Sequence, residues 1–292
     1  MLIRKGHTGE EVKQIQQELD IEADGIFGPI TESAVMRFQV EEHLEVDGIV
    51  GPKTWAAMFG LTTDIQESLD SQHGIVINHH MLPKGQYLKG PTKKEWLFLH
   101  HTAGWHNPYR TIDHWGRDDR GRIATEFVLG GPSIFNDDTQ YDGEIVKCIP
   151  DGGYAWHLGR NGYQRMHTDS VGIEVCNFGY LKNGKTYAGH TVHENHRVEL
   201  SKEFKGYKNW HRYSDAQIES LRKLILFIAD RDNINVREGL PALIKEKGAD
   251  AFEWNEKAYY GQVKGLLSHS NTNKGKSDMF PQEELLTMLT EL

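Results

Sequence analysis

Near the front of the chain, apolar residues recur at helical spacing in three places. Val12, Ile15 and Leu19 form one set, Ala34, Val35 and Phe38 a second, and Trp55, Met58 and Phe59 a third. Such recurrences predict three short helices packed as a small bundle. Beyond residue 90 the pattern changes. The run WLFLHH, from Trp96, is continuously apolar and then ends in two histidines, which suits a buried strand over 95–101. Further strands are predicted at 123–130, 143–149 and 170–176, and helices near 108–117, 214–231 and 281–291. In the second of these helices Ile218, Leu221, Leu224, Ile225 and Ile228 share a stripe, and Ser214 stands where an N-cap belongs. Strands that alternate with helices give an α/β domain with a central mixed β-sheet and flanking helices, here preceded by a small three-helix domain.

The front segment repeats itself. Residues 24–31 read DGIFGPIT and residues 47–54 read DGIVGPKT, a spacing of 23. In each copy Asp-Gly supplies a turn and Gly-Pro a break, and Thr31 or Thr54 is placed to cap the following helix. Residues 61–90 lack sustained periodicity and carry Gly74, Pro83, Gly85 and Gly90, which reads as a linker with some local structure. The expected organisation is therefore a domain over 1–60, a linker over 61–90 and a larger domain over 91–292.

Composition narrows the function classes. A net charge of −9 over 292 residues does not suit a protein that binds by neutralising phosphates, so nucleic acid is not an expected partner. Cys148 and Cys176 are too few for a disulfide framework and are expected to be reduced core thiols. The opening MLIRKGHTGEEVKQIQQEL has no apolar signal core, and no stretch approaches the ~20 apolar residues that span a bilayer. Synthesis in the cytoplasm without a signal peptide, and no membrane insertion, are the expectations.

Several polar residues interrupt apolar runs where chemistry could use them. His100 ends the first strand, and in LLSHSNTNKGKSD His269 follows an apolar run, with Lys276 and Asp278 beyond it. Two histidines and a carboxylate could converge on one ion, and three protein ligands with a fourth position open is the pattern of catalytic zinc. Glu174 is the lone carboxylate in the strand SVGIEV. It either faces solvent by alternation or, beside a metal, is a candidate general base. His190, His193 and His196 sit three apart, but Arg197 stands where an H-E-x-x-H motif needs its second histidine, so a polar loop is expected there.

Two resemblances organise these residues. GHTGEEVKQIQQEL, DGIFGPITESAVMRFQ and VDGIVGPKTWAAM, across residues 2–60, closely resemble the peptidoglycan-binding domain of cell-wall hydrolases. FLHHTAG, TEFVLGG, AWHLG, SVGIEV and the H-x8-D segment with its K-x-D ending, across residues 95–290, resemble the N-acetylmuramoyl-L-alanine amidase family, also called the amidase-2 or peptidoglycan-recognition family. The resemblance implies Zn2+ held by His100 rather than His101, with His269 and Asp278. Relatives that lack a tyrosine in the Y-x-F strand use the glutamate of the GIE strand; Thr125 precedes Glu126 and Phe127 here, so Glu174 takes the role of base. Lys276 maps to the cation that steadies the oxyanion, and His157 maps near the substrate groove, where a packing histidine is the alternative. Two features depart from the family: Asp278 is followed by MFPQEEL where relatives have Pro-Gly-Pro, and insertions occupy roughly 178–213 and 235–260. The implied function is a peptidoglycan hydrolase that cuts the amide between N-acetylmuramic acid and L-alanine. The arrangement looks like a phage endolysin released to the cell wall by a holin. A non-catalytic recognition protein and a wall-anchoring or phage-tail protein are the alternatives.

Overall fold

The computed structural model describes residues 3–42, 44, 46–59, 73–90, 93–136 and 138–292. Helices α1 (Glu10–Glu18), α2 (Pro29–Glu41) and α3 (Pro52–Phe59) form the front unit. Val12, Ile15, Val35, Met58 and Phe59 meet Ile3, Phe27 and Val50 in its core. The repeat extends to hydrogen bonds. Gln16 Nε2 donates to Asp24 Oδ1, Ile26 O and Thr31 Oγ1 at 2.7, 3.0 and 3.0 Å. One repeat later, Gln39 Nε2 donates to Asp47 Oδ1, Ile49 O and Thr54 Oγ1 at 2.8, 3.0 and 3.1 Å. This corrects the expected capping role of the threonines. Proline sets the start of each helix, since its fixed φ suits the first turn, so Thr31 and Thr54 fall inside the helices and serve the buried glutamines.

Part of the expected linker belongs to the sheet. β1 (Ile77–His79) pairs in parallel with β5 (Ile145–Lys147), and β2 (Leu88–Lys89) pairs antiparallel with β6 (Gly153–Tyr154). Residues 61–72 lie outside the described residues. The two units also touch: Met81 packs into the front core, and the Asp151 N–H donates to Phe59 O at 3.3 Å.

The main sheet has six strands in the order β1-β5-β4-β7-β3-β10, with β3 (Trp96–His101), β4 (Phe127–Leu129), β7 (Ser170–Val175) and β10 (Gly265–Ser268). β4, β7, β3 and β10 run parallel and β5 antiparallel, so the sheet is mixed. β3 is buried along its whole length, as a central strand covered on both faces must be. On one face Leu97, Leu99, Val171, Ile173 and Val175 pack beneath α6 (Asp215–Asp232) through Leu221, Leu224, Ile225 and Ile228. That helix starts with a capping box between Ser214 and Gln217 and ends at Asn233 in the left-handed region. α4 (Pro108–Gly116), N-capped by Asn107, the short α5 (Arg165–Thr168) and α10 (Glu283–Thr290) complete the flanks. Cys148 and Cys176 are free and buried in a separate apolar cluster.

Both insertions are ordered. Residues 178–213 form a hairpin of β8 (Arg197–Phe204) and β9 (Tyr207–His211). Within 235–260 lie α7 (Leu240–Lys247), a 3-10 turn (Gly248–Phe252) and α8 (Glu256–Tyr259), whose Leu240, Ile244 and Phe252 join the main core. Removing the Gln39 amide leaves the Asp47 and Gly48 N–H groups without their acceptor and costs Thr54 and Asp47 one hydrogen bond each, for about 2–3 kcal/mol. Gln39→Ala is expected to lower the denaturation midpoint of the front unit, followed by hydrogen exchange of α2 and α3, while α6 keeps its protection.

Candidate active site

Alternation along β3 decides which histidine enters the site. Trp96 and Phe98 point to one face, where Leu158, Met166 and Leu267 pack, while Leu97 and Leu99 point to the other. His100 therefore follows Trp96 and Phe98, and His101 follows Leu97 and Leu99. Accordingly His101 is buried beside Tyr213, whose hydroxyl lies 3.2 Å from its Nδ1, and edge-on to Phe280. Parallel partners in register share a face, and His100 is the partner of Glu174. On the other side Ser268 is the partner of Leu99, so His269, the next residue, comes level with His100. It opens a short turn, α9 (His269–Thr272), capped by Ser268 through Asn271.

The loop after α9 brings Asp278 back to this point. His100 Nδ1 and His269 Nδ1 lie 3.1 Å apart, and Asp278 Oδ2 lies 3.1 Å from the second and 3.4 Å from the first. All three side chains are buried. A tetrahedral ion with bonds of ~2.0–2.1 Å has donor–donor edges of about 3.3 Å, so the triangle has the right size for zinc. The outer nitrogens agree. His269 Nε2 sits 3.0 Å from Leu158 O, an obligate acceptor, so that nitrogen donates there and Nδ1 is the one turned to the cluster. His100 Nε2 lies 2.9 Å from His157 Nδ1, and His157 Nε2 lies 2.8 Å from Ser170 Oγ. Around a bound ion, with His100 donating outward to His157, both Nδ1 atoms and a carboxylate oxygen would converge as acceptors, and this donor set fits a divalent cation. Among the described residues no other such cluster occurs, and His190, His193 and His196 do not form one.

Electrostatics keep the donors in binding form. Burial pushes His100 down to about 4, against the Asp278 hydrogen bond that raises it, so it is neutral at ordinary pH. Burial alone would raise the Asp278 carboxyl, but hydrogen bonds with His100 and His269 hold it well below the usual carboxylate range. Glu174 is pushed up to about 8, first by burial and then by the Asp278 charge, with Lys276 opposing. The cluster floors a cleft of about 600 Å³, which Glu174, Lys276 and His157 also line. Trp115, Ile123, Trp156 and Arg120 form its walls.

Every site residue expected from the sequence thus borders one cleft, and His157 holds a further place, against His100 itself. Two residues that act on this arrangement escaped notice in the sequence, Ser170 and Gly172. Their signal was the alternation Ser170, Gly172, Glu174 along one face of β7. A Cβ on Gly172 would stand 2.8 Å from Thr125 Cγ2 and 3.2 Å from His157 Nδ1, so glycine makes room for the His157 ring against the strand.

A mixed α/β sheet with two histidines and an aspartate converging at the mouth of its central parallel strands defines the class. The family model described as N-acetylmuramoyl-L-alanine amidase matches residues 90–278, and the chain belongs to that family. A second model, for a putative peptidoglycan-binding domain, matches residues 8–58. Among solved structures, a peptidoglycan-binding protein from Clostridioides difficile is 41% identical over 20% of this chain and 40% of its own, with a TM-score of 0.20. The Burkholderia AP3 phage endolysin is 30% identical over 26% of this chain and 34% of its own, with a TM-score of 0.20. PlyL is 11% identical over 69% of this chain and 85% of its own, with a TM-score of 0.40. The chain thus spans well under half the length of the first two. No curated protein matches it.

Residues that orient metal-binding histidines from outside typically contribute 10–100-fold in affinity. Gly172→Ala, which displaces His157, is expected to weaken zinc binding by about tenfold in competition with a chelator. Unchanged affinity would show that His100 is oriented without His157.

Proposed function

We propose that the chain is a peptidoglycan hydrolase that cleaves the amide between N-acetylmuramic acid and the L-alanine of the stem peptide. His100 Nδ1, His269 Nδ1 and Asp278 Oδ2 would hold a zinc ion. The observation that carries this reading is that three convergent donors, a carboxylate of raised pKa and a lysine border the same cleft. When bound, zinc supplies Lewis acidity that polarises the amide carbonyl and acidifies water near neutral pH.

The remaining steps belong to the chain. Glu174, beside His100 on the neighbouring strand, takes a proton from the attacking water and delivers it to the departing alanine nitrogen. Lys276, two residues before Asp278 and exposed to the cleft, faces the negative charge that develops on the carbonyl oxygen. His157 and Ser170 keep His100 turned with its Nδ1 inward. The front unit would hold the enzyme on its polymeric substrate and raise the local concentration of bonds to cut. An endolysin that reaches the wall after holin action is the biological setting this reading favours. No helix among the described residues is long and apolar enough to cross a membrane.

The test uses purified chain and isolated peptidoglycan, with new alanine amino termini as the readout. Chelation is expected to abolish their release and zinc to restore it. Asp278→Ala is expected to lose both zinc and activity. Glu174→Ala is expected to keep stoichiometric zinc while turnover falls by about 10²–10⁴-fold. A fully active Glu174→Ala would remove Glu174 as the base, and a parent chain that releases no alanine termini would overturn the amidase reading.

A further inference from the structure

One group of aromatic residues near the cleft is left unexplained by the chemistry above. Trp105 lies two residues beyond the cleft-lining Thr102 and Ala103, where the chain turns sharply with Ala103 at φ 48°. Gly104 N–H, bonded to Asn177 O, ties that turn to the start of the first insertion. Trp105 there meets residues from two other segments: Phe135, after β4, at 5.4 Å between ring centroids, and His190, from the insertion, at 4.9 Å. Phe178 lies beneath, 5.0 Å from Trp105 and 6.4 Å from Tyr187.

The need to bury a core does not account for this arrangement. A separate buried cluster of Ile134, Phe178, Leu181 and Val192 already supplies the apolar interior of the insertion. Above it Tyr187 remains 64% exposed, Phe135 57% and Trp105 38%. Grouped exposed aromatics of this kind mark binding surfaces, whereas single ones need no explanation. The position, next along the chain to the cleft-lining Thr102 and Ala103, suits an extension of the substrate site.

We propose that Trp105, Phe135 and Tyr187 form a stacking platform for a sugar ring of the glycan strand, adjoining the cleft that takes the muramoyl amide. A pyranose ring offers a flat face of C–H groups that lies against an aromatic ring, and this contact requires no charge. Such recognition suits a chain of net charge −9 facing a polymer whose stem peptides carry carboxylates. All three platform residues lie outside the strands that build the cluster. The platform can therefore set preference for polymeric glycan without altering the chemistry. The inference rests on the amidase reading only for the identity of the neighbouring sugar.

The experiment separates the two readings by measuring binding without cleavage. Full-length chain carrying Glu174→Gln is titrated calorimetrically with glycan strands of alternating N-acetylglucosamine and N-acetylmuramic acid freed of stem peptides. The added pair Phe135→Ala and Tyr187→Ala, both highly exposed side chains, is expected to raise Kd at least fivefold. The pair Phe135→Tyr and Tyr187→Phe, which keeps both rings, is expected to stay within twofold of the parent. The front unit is the same in every variant, so its own binding cancels in the comparison. An unchanged Kd in the alanine pair overturns the platform, and so does an equal loss in the ring-preserving pair. On intact peptidoglycan the alanine pair, with Glu174 restored, is expected to raise the half-saturating substrate concentration at least fivefold with turnover within twofold; a loss confined to turnover overturns the proposal. If the parent releases no alanine termini, the amidase reading fails while the calorimetry still decides the platform.

Discussion

The site depends on the register between β3 and β7. Because side chains alternate along a strand, pairing His100 with Glu174 also pairs Leu97 with Val171 and Leu99 with Ile173. The apolar residues on that second face are buried beneath α6, and burial of each leucine or isoleucine is worth about 1.5–3 kcal/mol. A slip of one residue would part His100 from Glu174, turning the polar residue of the shifted strand into that core and its apolar set toward the polar cleft. The hydrophobic face thus specifies where the face bearing His100 and Glu174 falls, although none of its residues touches the cleft.

This also explains what could be read from the sequence. The continuous apolar run of β3 and the stripe of α6 were long enough for their periodicity to show, and both elements fall within one residue of expectation at each end. Even so, choosing His100 over His101 needed the family resemblance, because two adjacent histidines look alike until the strand's neighbours define its faces. β1 and β2, of three and two residues, are too short to carry a period and exist only because other strands pair with them. The threonines of the front repeat were misread because a hydroxyl near a helix start usually caps it, and proline had already set that start. Ser170 and Gly172 were invisible for another reason: their roles, a hydrogen bond and a missing Cβ, are toward a histidine that arrives from a distant segment.

The electrostatic balance of the cluster follows from burial. An ionised Asp278 beside a neutral His100 places a negative charge in a dry place, and the same charge is the second cause of the high Glu174 pKa. Charges so buried are costly unless matched. A divalent cation held there would supply the match, and by offsetting the Asp278 charge it would remove part of what raises the Glu174 pKa. The geometry that would hold a metal and the ionisation of Glu174 are therefore linked through one carboxylate.

The two insertions bear on the same carboxylate and histidine. In place of the Pro-Gly-Pro expected after Asp278, Phe280 is stacked between Trp210, at 4.5 Å, and Tyr213, at 4.4 Å, both from the end of the first insertion. Gln282 then exchanges two hydrogen bonds with the Tyr213 backbone, accepting from its N–H at 2.8 Å and donating to its carbonyl at 3.0 Å. The second insertion holds the other strut. Asn271 donates to Ala251 O and Glu253 O, and Ser270 to Phe252 O, which fixes the turn that begins at His269. A proline-stiffened loop limits its own motion, whereas these contacts limit it from outside. The departure from the family pattern after Asp278 and the presence of the insertions are thus two sides of one structural solution: segments added elsewhere in the chain hold Asp278 and His269 at the spacing the cluster needs.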